Sequence, residues 1–244
     1  MLRLLRFLIG VALLPLCMAI SQALLDTLRS IPDTSTLLSP ETRALLSGYF
    51  LWLGMWFFMP QPVRVYVAAH ELTHALWGLL FGARVRNVRI TSEGGSVRLS
   101  KANMLITLAP YFFPLYTVLV ILLRFLLGLF LQPLPLPFLW LFLVGLTWSF
   151  HITFTVQSLL LNQPDIQEYG QIFSYTIIYL FNLAGVGLWI VCTTPVNFSV
   201  FSSAVLLHTV DVYVSVYDTV TLRSKDFYNT LLPALKKLII RPAA

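Results

Sequence analysis

The sequence predicts an all-α polytopic membrane protein: six to seven transmembrane helices, with a small β-hairpin following the helix that carries its closely spaced histidine pair. Two observations predict this class. The 244 residues are 58% hydrophobic and only 11% charged, with a mean hydropathy of +0.82, whereas a soluble domain carries roughly 25% charged residues. The apolar residues also gather into segments near the length of about 20 that a bilayer crossing needs. No soluble domain of useful size remains outside them. The chain therefore reads as one integral membrane domain, 1–244, with a basic hairpin at 83–101 and an amphipathic basic tail at 222–244.

The candidate spans are 4–25, 44–59, 63–81, 104–131, 138–161, 172–193 and, less apolar, 198–220. The first follows Arg3 and Arg6 and resembles a signal peptide, but it shows no small-residue cleavage site and reads as a retained anchor. The second ends at Pro60-Gln61-Pro62, which breaks the chain before the third, because proline is tolerated mainly in a helix's first turn. Pro110 and Pro114 predict a kink in the fourth. Cys17 and Cys192 lie far apart in apolar segments without CxxC spacing, so they read as packing residues rather than a disulfide or zinc ribbon.

Between the third and fourth segments, Val85 to Ile90 and Ser96 to Leu99 alternate in polarity on either side of Gly94-Gly95, a hairpin signal. Such a sheet can take up an extended peptide by strand addition or simply face lipid headgroups. From Leu222 to Arg241, leucines and lysines mix at a spacing that suits a helix lying on a membrane surface.

Ten of the 16 Lys and Arg fall in the hairpin and the tail. Such clusters face the cytoplasm and anionic lipid, not nucleic acid. The expected setting is a plasma or inner membrane with hairpin and C-terminus cytoplasmic. Counting back three crossings from the hairpin puts Arg3 and Arg6 outside, against the same rule. The conflict disappears if one of the first two segments does not span.

The third segment contains His70-Glu71-Leu72-Thr73-His74. Residues four apart share a helix face, so His70 and His74 can grip one zinc ion. Glu71 sits beside them, where a carboxylate can take a proton from zinc-bound water. Ionisable groups within a membrane segment are penalised by about 2.5–3.5 kcal/mol each on insertion scales, so three together mark function.

A catalytic zinc has three protein ligands and an open position. Asp165 and Glu168 lie in the polar break 161–170, and His151 lies inside the fifth segment. By segment count His151 matches the depth of His74, whereas Asp165 reaches it only if the break dips inward. His208, Asp211 and Asp218 fall on one face of the seventh segment and suit a second polar seam or a pairing with Arg124. No inverted repeat of broken helices points to a transport site.

A membrane-embedded His70-Glu71-x-x-His74, a basic Gly-Gly hairpin and a later Asn162-x-Pro164-Asp165 stretch resemble the site-2 protease class of intramembrane zinc metallopeptidases, the M50 type, and within it the compact M50B-like branch. The resemblance spans roughly 63–182. It implies a zinc hydrolase that cleaves membrane-embedded or membrane-adjacent segments of other proteins, with Glu71 catalytic and His70, His74 and Asp165 as metal ligands. The family's third ligand stands in an Asp-Gly dipeptide. Here Asp165 and Gly170 are separated, with Glu168 nearer the glycine, so His151 and Glu168 stay as alternative or supporting groups. The other expectation is a zinc-binding membrane scaffold or adaptor that keeps the fold without peptidase activity. No oligomeric state is implied.

Overall fold

The computed structural model describes residues 1–31, 39–91, 94–131, 135–194 and 196–239, with side chains described at all of these except 192–193, 224, 226–228 and 230–239. The described chain is helical apart from one hairpin. The helices are α1 (Leu2–Arg29), α2 (Pro40–Phe58), α3 (Val63–Leu80), α4 (Met104–Leu108), α5 (Leu115–Phe130), α6 (Pro137–Leu159), α7 (Pro164–Tyr169), α8 (Gln171–Thr193) and α9 (Phe198–Ile239). Strands β1 (Val85–Ile90) and β2 (Gly95–Leu99) pair antiparallel between α3 and α4.

Among the described residues four helices are long and apolar enough to cross a membrane: Leu2–Arg29, Pro137–Leu159, Gln171–Val191 and Phe198–Arg223. A fifth joins them if Met104–Tyr111 and Leu115–Phe130, bent by 84° at their junction, count as one broken span. The bend falls where Pro110 and Pro114 predict it. The expected six to seven spans also included α2 and α3, which lie outside this set. Glu41 and Arg43 open α2, and α3 carries Arg64, Glu71 and its two histidines.

Helix α2 runs parallel to α6 in close contact. A Cβ at Gly48 would collide with the Phe142 carbonyl, and one at Gly145 with the Leu45 carbonyl. Small residues let helix backbones approach closely, which is how membrane helices gain packing energy without a hydrophobic drive. Beyond the glycines Trp52 packs on Phe150 and Phe154 and donates to Thr153 Oγ1 at 2.9 Å. A second group joins α1, α8 and α9 through Leu24, Ile190 and Phe201. Helix α3 bridges the two, stacking Tyr66 on Phe154 and packing Trp77 against the cluster of Leu108, Tyr111, Phe112 and Ile178.

The contacts also sort the chain's ends. Arg6 meets Glu168 and Tyr169, and Gln61 meets Gln157. The start of α1, the end of α2 and the α6–α8 connection therefore share one end of the bundle. Helix α9 continues unbroken to Ile239, where a separate surface helix was expected from 222. No glycine or proline interrupts 198–232, so nothing ends the helix at residue 220. The amphipathic face of 222–244 falls largely on side chains outside the described set.

Candidate metal centre

Helix α3 presents His70 and His74 one turn apart, with their Nε2 atoms 3.2 Å from each other. Asp165 Oδ2 lies 3.2 Å from His70 Nε2 and 3.4 Å from His74 Nε2. Three ligand atoms from two distant segments thus form a nearly equilateral triangle. A tetrahedral metal with bonds of about 2.0–2.1 Å has ligand–ligand edges of roughly 3.3–3.4 Å. The triangle has the size of one face of such a tetrahedron, and the donor set of two imidazoles and a carboxylate suits zinc.

Local chemistry explains why both histidines turn Nε2 inward. His74 Nδ1 donates to the Ile106 carbonyl at 2.9 Å, which leaves the Nε2 lone pair free. That carbonyl is available because the residue four ahead is Pro110, which has no N–H to close the helical bond. His70 Nδ1 shares a 3.3 Å hydrogen bond with the Tyr66 hydroxyl, itself bonded to Ser158.

Asp165 arrives on α7. Pro164 starts this short helix in its first turn, and Gly170, at φ +91°, ends it. Ile166 anchors it, being 2% exposed within the Leu108–Tyr111 cluster. Arg6 of α1 donates to the Glu168 carbonyl at 2.8 Å and lies over the Tyr169 ring at 4.4 Å. A cation on the last carbonyls of a helix is favoured by both hydrogen bonding and the helix dipole. Tyr111, fully buried, donates to Asp165 Oδ2 at 3.1 Å. Burial pushes the Asp165 carboxyl up, but the adjoining His70 and His74 side chains outweigh this and hold it below the usual carboxylate range. That shift favours the carboxylate, the form a metal ligand must take.

Glu71 is buried beside the cluster, and β2 crosses directly over it. A Cβ at Gly95 would stand 2.5 Å from Glu71 Cγ and 2.7 Å from Oε1, so only glycine permits this approach. Further along, Leu99 seats on Gly78, where a Cβ would be 2.9 Å from it. A cavity of about 900 Å³ opens here, lined by His70, Glu71, His74, Asp165 and the whole length of β2.

The other candidates stand apart. Glu168 lines the same cavity but is not in the cluster. His151 lies behind α3, in a separate small cavity shared with His70 and Thr73, and its Nε2 has no hydrogen-bond partner among the described residues. The depth match with His74 therefore does not bring it to the cluster. His208 pairs with Asp26 of α1 at 2.7 Å rather than with Arg124. Tyr66, Tyr111, Ile106, Gly95 and Arg6 escaped the sequence argument. Only Tyr66, four residues before His70 on the same face, carried a signal that could have found it.

No family model, curated protein or solved structure matches the chain.

Proposed function

We propose that this chain is an intramembrane zinc metalloendopeptidase, hydrolysing peptide bonds of membrane-embedded or membrane-adjacent substrates, as its resemblance to the M50B-like site-2 proteases implies. One observation carries the proposal: the triangle of His70, His74 and Asp165 opens into the same cavity as the Glu71 carboxylate. Zinc, when bound, supplies Lewis-acid polarisation of the scissile carbonyl and lowers the pKa of water. The chain's own residues do the rest. Glu71 takes the proton of the attacking water at its carboxylate and delivers it to the leaving amine. Tyr111 holds Asp165 Oδ2 in place, and the Ile106 carbonyl fixes the His74 ring.

Substrate backbone must leave its helix to be cut, and unwound backbone needs hydrogen-bond partners. Among the described residues β2 pairs only with β1, so its other edge is unpaired. That edge runs along the cavity and suits an extended peptide by strand addition.

We propose a membrane arrangement that the shared end of the bundle supports: α1, α2, the bent α4–α5 pair, α6, α8 and α9 cross, α2 by its close parallel packing on α6 rather than by its own hydropathy, while α3 lies within one leaflet. Arg3, Arg6, the hairpin and the tail then share the cytoplasmic side, and the conflict over charge disappears without demoting either of the first two segments.

The test is cleavage of a membrane-anchored substrate by protein reconstituted in vesicles. Glu71→Gln lowers turnover by about 10²–10⁴-fold while zinc content is unchanged. Equal turnover refutes the mechanism. Absence of turnover in wild type, with zinc present, favours the inactive scaffold, although such a site has no need of Glu71.

A further inference from the structure

The hairpin carries an irregularity where two polar residues in a row, Arg86 and Asn87, interrupt its alternation. Register runs Val85↔Leu99 and Arg86↔Arg98, then shifts, resuming at Val88↔Val97 and Arg89↔Ser96. The extra residue is Asn87, at φ +51°. A strand alternates faces with period two, so Arg86 and Arg89 would otherwise point to opposite sides. One inserted residue flips every side chain beyond it. The bulge therefore gathers Arg86, Arg89, Arg98 and Ser96 on one face and leaves Val85, Val88, Val97 and Leu99 on the other, where Leu99 seats on α3. Arg86 and Arg98 stand directly opposite one another, a pairing that destabilises a ladder. Neither has an ion-pair partner among the described residues. Both line the cavity that holds His70 and Glu71, whereas Arg89 does not.

We propose that Arg86 and Arg98 form an anion subsite that selects an acidic residue on the substrate peptide. This rests on the peptidase reading and names the substrate chemistry. Two guanidiniums on one face offer a fork that fits a carboxylate. The position follows from β2 itself: Gly95 lies over Glu71, and Arg98 is three residues on, roughly 10 Å at about 3.3 Å per residue. An extended peptide aligned on β2 with its scissile bond at Glu71 places the residue about three positions away against the arginine pair. Anionic headgroups would meet the outer arginines equally, Arg89 included, whereas a peptide entering the cavity meets only this pair.

The experiment uses zinc-loaded, full-length Glu71→Gln protein in detergent, so that binding is read without hydrolysis. The probe is a pool of randomised peptides of about twelve residues, roughly 40 Å when extended; the bound fraction is sequenced. Asp and Glu should be enriched at least about tenfold at one register, worth roughly 1.4 kcal/mol. The enrichment should vanish in R86Q/R98Q and persist in R89Q. No acidic enrichment, or enrichment that survives R86Q/R98Q, overturns the proposal. So does R86Q/R98Q losing affinity for phosphatidylserine vesicles while its peptide selection is unchanged, which would assign the pair to headgroups. Zinc content, measured on the same samples, reports separately on the metal centre.

Discussion

At the scale of single residues, the metal centre depends on atoms that hold the ligands as much as on the ligands. Asp165→Ala is expected to empty the site, since it removes one corner of the triangle. His151→Ala and Glu168→Ala should keep full zinc occupancy, because neither side chain belongs to the cluster. Tyr111→Phe deletes the hydroxyl on Asp165 Oδ2 and leaves the ring packing intact, so zinc affinity should fall by about 10- to 100-fold. Competition against a chelator of known affinity measures each variant, and an unchanged Tyr111→Phe affinity would show that the hydroxyl does not orient the ligand. His70, Glu71 and His74 were legible because helical spacing is a local property. The choice of Asp165 over His151 came from the resemblance alone; depth favoured His151, because it fixes position along a helix axis but not which face of a neighbouring helix is presented. Tyr111 was illegible for the same reason, having no periodic relation to the motif.

At the scale of elements, short pieces carry the chemistry. The kink expected from Pro110 and Pro114 is present, but its second effect was not foreseen: it frees the Ile106 carbonyl for His74. The hairpin was legible from alternation around Gly94-Gly95. The bulge at Asn87 was missed, although two polar residues in a row, Arg86 and Asn87, break the alternation there and an extra residue repairs it. Gly95 reads as a turn residue in sequence, yet its place in the fold is a close approach over Glu71. Gly95→Val should leave zinc bound and reduce peptide turnover by about 10²-fold, the scale of an ångström's misplacement at a reacting group. Turnover equal to wild type would mean that β2 does not constrain Glu71. Arg6→Ala should loosen α7 and weaken zinc, although the residue is remote from the cluster in sequence. Arg6→Lys should restore part of the loss, because an ammonium still meets the last carbonyls of α7 but cannot stack as a guanidinium does.

At the scale of the whole molecule, hydropathy revealed the class but not the number of crossings. Apolar runs look alike whether a helix crosses the bilayer or packs within one leaflet. Which of the two applies to α3 depends on where α2 delivers the chain, and the parallel contact of α2 with α6 supports the one-leaflet proposal. The arrangement with α3 within one leaflet predicts that epitope tags at the N-terminus, at the hairpin tip and after residue 244 are all accessible from the cytoplasmic side. An N-terminal tag reached only from the opposite side would restore α3 as a full crossing. All of this rests on one metal ion held by His70, His74 and Asp165, and zinc-edge X-ray absorption on the purified protein tests it most directly. The account predicts one zinc per chain, tetrahedral, with two imidazole nitrogens at about 2.0–2.1 Å and oxygen ligands at about 2.0–2.2 Å. Protein that binds no zinc under saturating conditions, or an imidazole signal that is undiminished in His74→Ala, would contradict it.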